Sequence, residues 1–290
     1  MPCYRVGFVS KNYAKITLMY SGFVTSKKVV DRLGIHQRFD MAGYKMIERY
    51  LPDGFFPPMK DILYWEGYNG PDGLKVKSPK QADPSHLYDP KTDTGAVPGH
   101  ITVHYEKLVQ CLKDGDIVRA GFEASWMAHY IGDGLTPAHH WPLEEKIAEA
   151  VEDEREAVKA GDVNKLLLRA KKNWAVWGVK GHLSTHFNFE MGIAFALLIY
   201  PIRGRFKADD LARARRVGYL EYFKEQARDV ATLDLYERFY KQGWNSDIAA
   251  IVKNKIAPMT AETIGIIWLL AVLEAGQELA IEEIMTAVGK

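Results

Sequence analysis

The chain has 290 residues, 47% of them hydrophobic and 12% aromatic, and a formal net charge of +1. That length supports one large domain with a substantial core, and the near-neutral charge supplies no bulk attraction to duplex DNA or to an anionic membrane. Its two cysteines, Cys3 and Cys111, make neither a disulfide framework nor a zinc-finger spacing.

Residues 1–33 are mixed, with short β-like runs at Tyr4 to Val9 and Lys15 to Val24 to which no role attaches. Met1 to Phe23 carries Arg5, Lys11 and Lys15 without a continuous apolar core or a small-x-small cleavage site, which argues against a signal peptide. The longest apolar run, Ile264 to Leu273, contains Gly265 and ends at Glu274, short of a membrane span. The expectation is a soluble, cytoplasmic protein with no transmembrane segment.

From His36 the spacing of Phe39, Gly43, Ile47 and Tyr50 predicts a helix, stopped by Pro52-Asp53-Gly54. His36 at its start reads either as a cap or as a ligand. Residues 51–100 follow as a long irregular region rich in Pro, Gly and Asp. Loops of that length inside a compact domain are functional or tied down by something. Asp72, within Gly70-Pro71-Asp72-Gly73, is by itself an ordinary turn residue. Helices are then predicted over Thr102 to Lys113 and Gly115 to Tyr130. His100 and His104 share one helical face and read as structural residues or as residues behind the ligands.

Ser125 to Trp141, SWMAHYIGDGLTPAHHW, holds the densest chemistry. His129 and Asp133 are four residues apart and leave one helical face together. Gly132, Gly134 and Pro137 end the helix, and His139 follows the turn. Two imidazoles and a carboxylate so gathered form a zinc half-site; the competing reading is a helix with two partly buried histidines and a capping aspartate. His140 reads as a pocket-wall residue.

Leu143 to Lys172 is dense in Glu, Lys, Arg and Ala and reads as two charged, solvated helices broken at Gly161-Asp162. Beyond it, His186 and Glu190 repeat the four-residue spacing, with His182 one turn earlier. Two such pairs in one chain are what a pair or cluster of metals needs. All nine histidines lie between His36 and His186, so metal chemistry belongs to the first two thirds. The helix continues to Tyr200, and further helices are predicted over 207–242 and 260–288, with apolar stripes such as Leu211, Val217, Leu220 and Phe223. One all-α domain spanning residues 1–290, a multi-helix bundle with a long ligand-bearing loop, is the simplest architecture.

His-Tyr-Ile-Gly-Asp (129–133), Thr-Pro-Ala-His (136–139) and His-x-x-x-Glu (186–190), in that order, resemble the core signature of the zinc-dependent phospholipase C family, whose fold the single-strand-specific zinc nucleases share. Gly34-Ile35-His36 resembles the family's early metal histidine, and Ser85-His86-Leu87-Tyr88-Asp89-Pro90 its loop histidine segment; the likeness spans about residues 34–195. It implies that His86, His129, Asp133 and a loop aspartate hold one metal, that His139, His186 and Glu190 hold a second, and that His36 with bridging Asp133 holds a third. Asp72, 14 residues before His86, fits the loop ligand, with Asp61 as its rival. Asp72 is also the implied residue to orient the attacking water. In secreted family members an amino-terminal Trp completes the third site, whereas this chain begins 35 residues before His36. Two zinc ions are therefore as much an expectation as three.

The implied activity is metal-dependent hydrolysis of a phosphoric diester, with a phospholipid, a small diester or single-stranded nucleic acid as substrate, and no protein partner is evident. A nuclease would need aromatic platforms for bases, which Trp126, Trp141, Trp174 and Trp177 could supply. The alternative from another class is a helical metal-binding protein without catalysis. The absence of an adjacent His-Asp pair and of Glu-x-x-His argues against HD-type phosphohydrolases and ferritin-like di-iron proteins.

Overall fold

A computed structural model describes residues 34–66, 69–77, 86–142, 171–176, 178, 180–198 and 200–276, with isolated positions at 146, 149, 152 and 156. The β-like runs before residue 34, most of the charged run 143–172, Trp177 and the end of the helix expected over 260–288 lie outside the described residues.

The chain is all-α: among the described residues the only strands are a two-residue pair. Helix α1 (Ile35–Ile47) starts where the sequence predicts and runs into a 3-10 turn over Glu48–Tyr50. Its entry is fixed by the Gly34 N–H, which donates to Gln37 Oε1 at 3.0 Å. Its buried residues are His36, Phe39, Asp40, Gly43 and Ile47, so two ionisable groups share the core-facing stripe with apolar ones.

The stretch 51–100 departs from the irregular loop expected of it. It contains α2 (Met59–Tyr64) and α3 (Pro71–Lys77), each introduced by a proline, at 58 and 71. Proline fixes φ and lacks an N–H, so it suits a helix start as well as a turn. The Pro-Asp-Gly triplet is thus the first turn of a helix, and Asp72 sits there. His86 precedes a small hairpin in which β1 (Tyr88–Asp89) pairs with β2 (Thr94–Gly95). Asp89 ties that turn by accepting from the Lys91 N–H and the Thr92 hydroxyl, both at 2.8 Å.

Helices α4 (Val97–Asp114) and α5 (Ile117–Gly134) form a closely packed antiparallel pair. Gly115 stops α4 at φ 70°, and Asp116 caps α5 by accepting from the Arg119 N–H at 3.0 Å. Helix α5 ends at the glycines that the sequence marks, with Gly132, Asp133 and Gly134 in its last turn; a 3-10 turn over Pro137–His140 follows. After the charged run come α6 (His182–Leu197), α7 (Ala208–Val217), α8 (Tyr219–Ala231), α9 (Leu235–Gln242) and α10 (Ser246–Ile251). The helical span 207–242 is broken at Gly218 (φ 87°) and Asp234 (φ 48°). Asn245 caps α10, whose formation the sequence reading missed, by accepting from the N–H groups of Asp247 and Ile248.

Helix α11 (Ala257–Glu274) is the centre of the core, buried on every side from Thr263 to Val272. A π-helical turn over Val252–Ile256 joins it to α10. The continuous Ser246–Glu274 helix is long and apolar enough to cross a membrane, yet 78% of its most apolar window lies inside the protein, so its role here is that of a core helix. Trp268 is fully buried and donates its Nε1 hydrogen to the Ala124 carbonyl at 3.1 Å, locking α11 to α5. Helix α1 crosses α11 through Gly43 and Gly265: a Cβ on Gly43 would lie 2.8 Å from the Ala261 carbonyl. That close crossing seats α1, and with it His36, against the end of α5.

Candidate metal centre

Six separate segments bring their polar side chains to one buried cluster. His36 comes from α1, Asp72 from α3, His86 from before the hairpin, His129 and Asp133 from α5, His139 from the 3-10 turn, and His186 and Glu190 from α6. All but Glu190, which is partly exposed, are buried. Potential donor atoms within 4.8 Å of one another fall into three groups: His36, His129 and Asp133; Asp72, His86 and His129; His139, His186 and Glu190.

Asp133 is the hub. Its Oδ1 lies 3.4 Å from Nε2 of His36 and 3.4 Å from Nε2 of His139, while its Oδ2 lies 2.6 Å from Nδ1 of His86 and 3.2 Å from Nε2 of His129. Asp72 Oδ1 is 3.8 Å from His129 Nε2 and 3.9 Å from His86 Nδ1. Glu190 Oε1 is 2.9 Å from His186 Nε2 and 3.0 Å from His139 Nε2. Every sequence-derived ligand therefore lies in the cluster. Asp61 does not: its Cβ faces Gly121, two turns before His129 on α5, and it belongs to none of the three groups. His182, at the start of α6, also stays outside them.

Backbone and side-chain partners orient these rings. His139 donates from Nδ1 to the His86 carbonyl at 2.8 Å, which turns its Nε2 into the cluster. His129 Nδ1 lies 2.9 Å from Glu66 Oε1, and the Ser125 hydroxyl lies 3.4 Å from the same carboxylate. His36 stacks on His129 with ring centroids 4.2 Å apart. Gly132 makes room for that stack, since a Cβ there would lie 2.7 Å from His36 Nδ1.

The electrostatics follow from crowding acids and imidazoles in a dry space. Burial raises the Asp133 carboxyl, but the imidazoles of His139, His129 and His86 outweigh it and hold the group well below the usual carboxylate range. Burial lowers the His129 imidazole, yet Asp133, Glu66 and Asp72 hold it well above its usual value. Glu190 is likewise raised by burial and lowered further by His186 and His139. Without a cation, the proton held on His129 offsets part of the acids' charge.

The donor set is of a kind that binds divalent ions. A tetrahedral zinc with bonds of about 2.0–2.1 Å would place its ligand atoms about 3.3 Å apart; Glu190 Oε1 lies 2.9 and 3.0 Å from the nitrogens of its group, His86 Nδ1 and His129 Nε2 are 3.3 Å apart, and Asp72 stands wider, at 3.8 and 3.9 Å from them. Imidazole with carboxylate also admits manganese or iron.

Two residues near the cluster escaped the sequence reading. Glu66, buried after α2, holds His129 but has no spacing motif to betray it. Asp40 lies four residues after His36, the same spacing as His129 to Asp133, so its signal was present. The histidines not taken as ligands belong to none of the three groups. His104 Nδ1 pairs with Glu123 Oε2 at 2.6 Å, His100 stacks on Tyr130 at 4.3 Å, and His140 reaches the Gly134 carbonyl from Nε2 at 2.8 Å.

Comparison of the chain with protein-family models, with curated proteins and with solved structures returns no match.

Proposed function

We propose that the chain is a metal-dependent phosphoric diester hydrolase with a di- or trinuclear zinc centre, of phospholipase C-like fold. The observation that carries this reading is the bridging posture of Asp133, whose two oxygens face different sets of imidazoles. A carboxylate so placed suits adjacent cations rather than a single ion. His86, His129 and Asp72 would hold one ion, His139, His186 and Glu190 another, and His36 with Asp133 a third. When bound, such ions neutralise phosphoryl oxygens and lower the pKa of a water held between them.

The protein's own groups supply the rest. Asp72, in the group it shares with His86 and His129, would accept a hydrogen of the attacking water and orient it. The dry surroundings strengthen each of these contacts relative to water.

Of the aromatic residues that a base-stacking nuclease would use, Trp126 packs between Phe122 and His104, and Trp141 packs on Tyr236. Among the described tryptophans only Trp174 is strongly exposed, at 69%. Phospholipid or small diester hydrolysis is therefore favoured over nuclease action.

The test is metal analysis of the purified chain, followed by hydrolysis of bis(4-nitrophenyl) phosphate with added zinc and after chelation. Zinc-dependent turnover that chelation abolishes is the expected result. Full zinc occupancy without turnover on a diester, a phospholipid or an oligonucleotide would replace this reading with a non-catalytic metal-binding role.

A further inference from the structure

Asp40 stands apart from the other acids among the described residues. It is 1% exposed, and among the described residues it is the one carboxylate whose two oxygens are both buried without a hydrogen-bond partner. It occupies the core-facing stripe of α1, between Phe39 and Gly43, where an apolar residue would pack without cost. A bare carboxylate in such a place destabilises a fold unless something positive compensates it. Burial and then Glu66 push its carboxyl well above the usual carboxylate range, His129 draws it back, and among the described residues no lysine or arginine acts on it.

Those neighbours locate it. Glu66 holds His129, and His36, one turn before Asp40 on α1, stacks on the same ring. Asp40 thus flanks the His36–His129–Asp133 corner of the cluster, yet its oxygens are not among the atoms that converge there. The charge balance of the converging groups explains its presence. Their acids are Asp72, Asp133 and Glu190, and neutral imidazoles add no charge. Two divalent ions bring four positive charges and three bring six, so against three inner acids the buried excess is one unit for two ions and three units for three. Glu66 offsets the first unit, and Asp40 a second once the corner ion is also present.

We propose that Asp40 is an outer carboxylate of the metal centre, acting with Glu66: it does not ligate, and its negative charge tightens the hold on the cation at the His36–His129–Asp133 corner. The proposal rests on the reading of the cluster as a divalent-metal centre. Asp40 is in these terms a positioning and charge-balancing residue, with its role in the metal-loaded protein and none in the metal-free fold. Outer partners of metal ligands commonly change affinity by about 10–100-fold.

The experiment uses the full chain in three forms, the unsubstituted protein, Asp40→Asn and Asp40→Leu. Each is stripped of metal, melted, and titrated with zinc against a chelating competitor, and the corner ion is identified as the one that His36→Ala loses. Both variants are expected to melt at or above the temperature of the metal-free parent, and to bind the corner zinc at least tenfold more weakly. Visible spectra after cobalt substitution are expected to keep the parent's band positions, because the inner ligands are untouched. Corner affinity within twofold of the parent overturns the role of Asp40 while leaving the metal centre standing. Failure of both variants to fold without metal also overturns it, since the charge would then serve the fold. A parent chain that binds no divalent ion overturns the proposal and the reading beneath it together.

Discussion

Glu66 Oε1 lies 2.9 Å from Nδ1 of His129, and that contact decides which face of the imidazole meets the cluster. A carboxylate oxygen accepts, so a hydrogen sits on Nδ1 and Nε2 is the nitrogen that faces Asp133 and His86 and that a cation would take. Glu66→Gln keeps the shape and removes the charge. Zinc affinity is expected to fall about 10–100-fold, measured by chelator competition, with the metal-free fold retained. Unchanged affinity would mean that the contact orients nothing.

How much of this was legible in the sequence depends on where each signal lives. The pairs His129–Asp133 and His186–Glu190 were readable because a helix puts positions four apart on one face, and both pairs do meet within the cluster. Spacing alone cannot rank such pairs: His36–Asp40 has the same period, but only His36 reaches the donor groups. Asp72 was readable as a candidate and not as an element. Proline opens turns and helices with the same φ, and the choice between them at Pro71 is made by packing that no local pattern records. Glu66 was illegible because its meaning comes from a ring 63 positions away. Segmentation of 207–242 was missed for a different reason. Asp234 adopts φ 48°, a left-handed conformation that aspartate tolerates but does not advertise.

Asp133→Asn is expected to cost the most of any single change in the cluster. The amide keeps the hydrogen-bonding reach but loses the charge that faces His36 and His139 on one oxygen and His86 and His129 on the other. Metal stoichiometry should drop by at least one ion per chain, and diester hydrolysis should fall by more than about 100-fold, on the scale of a lost inner ligand rather than an outer one. His140→Ala, in the 3-10 turn that follows α5 and bonded to the Gly134 carbonyl, should leave stoichiometry intact. Equal losses in the two variants would place the hub elsewhere.

Gly132→Ala tests the stacking of His36 on His129. The added methyl would sit 2.7 Å from His36 Nδ1 on a helix that cannot retreat, because α5 is held by α4 and by Trp268. The His36 ring must swing away. The expected result is loss of the ion that His36 holds while the His139–His186–Glu190 ion stays, read by metal analysis and by cobalt spectra. A variant with parental metal content would show that His36 is dispensable to ion binding.

His140 gives a pH dependence that is independent of metal. Burial pushes its imidazole down to about 4, against an ordinary value near 6.5. The folded chain therefore keeps this ring neutral while the unfolded chain protonates it as the pH drops. Its contribution to stability is complete above pH 6.5, declines between 6.5 and 4, and is gone below 4. In metal-free protein, His140→Gln should narrow the stability gap to the parent as the pH falls through that window. A gap that stays constant from pH 7 to pH 4, by urea denaturation, would mean that the ring takes up its proton in the folded state.

Metal binding has the opposite sign of limitation. Burial lowers the His129 imidazole, but Asp133, Glu66 and Asp72 override it and hold a proton there to well above the usual value in the metal-free chain. Asp133 and Glu190 are held low by their imidazole neighbours, so both are ionised through the neutral range and impose no limit. The proton on His129 must leave before Nε2 accepts a cation. Apparent zinc affinity should therefore rise with pH from 6 through 8, by about tenfold per pH unit for each proton displaced, and flatten only above the raised value of His129. Proton release measured in two buffers of different ionisation enthalpy should account for the slope. Glu66→Gln, which removes one of the acids holding that proton, should shift the rise to lower pH even as it weakens the limiting affinity, and an affinity flat from pH 6 to 8 in the parent would sink the assignment of His129 as a ligand.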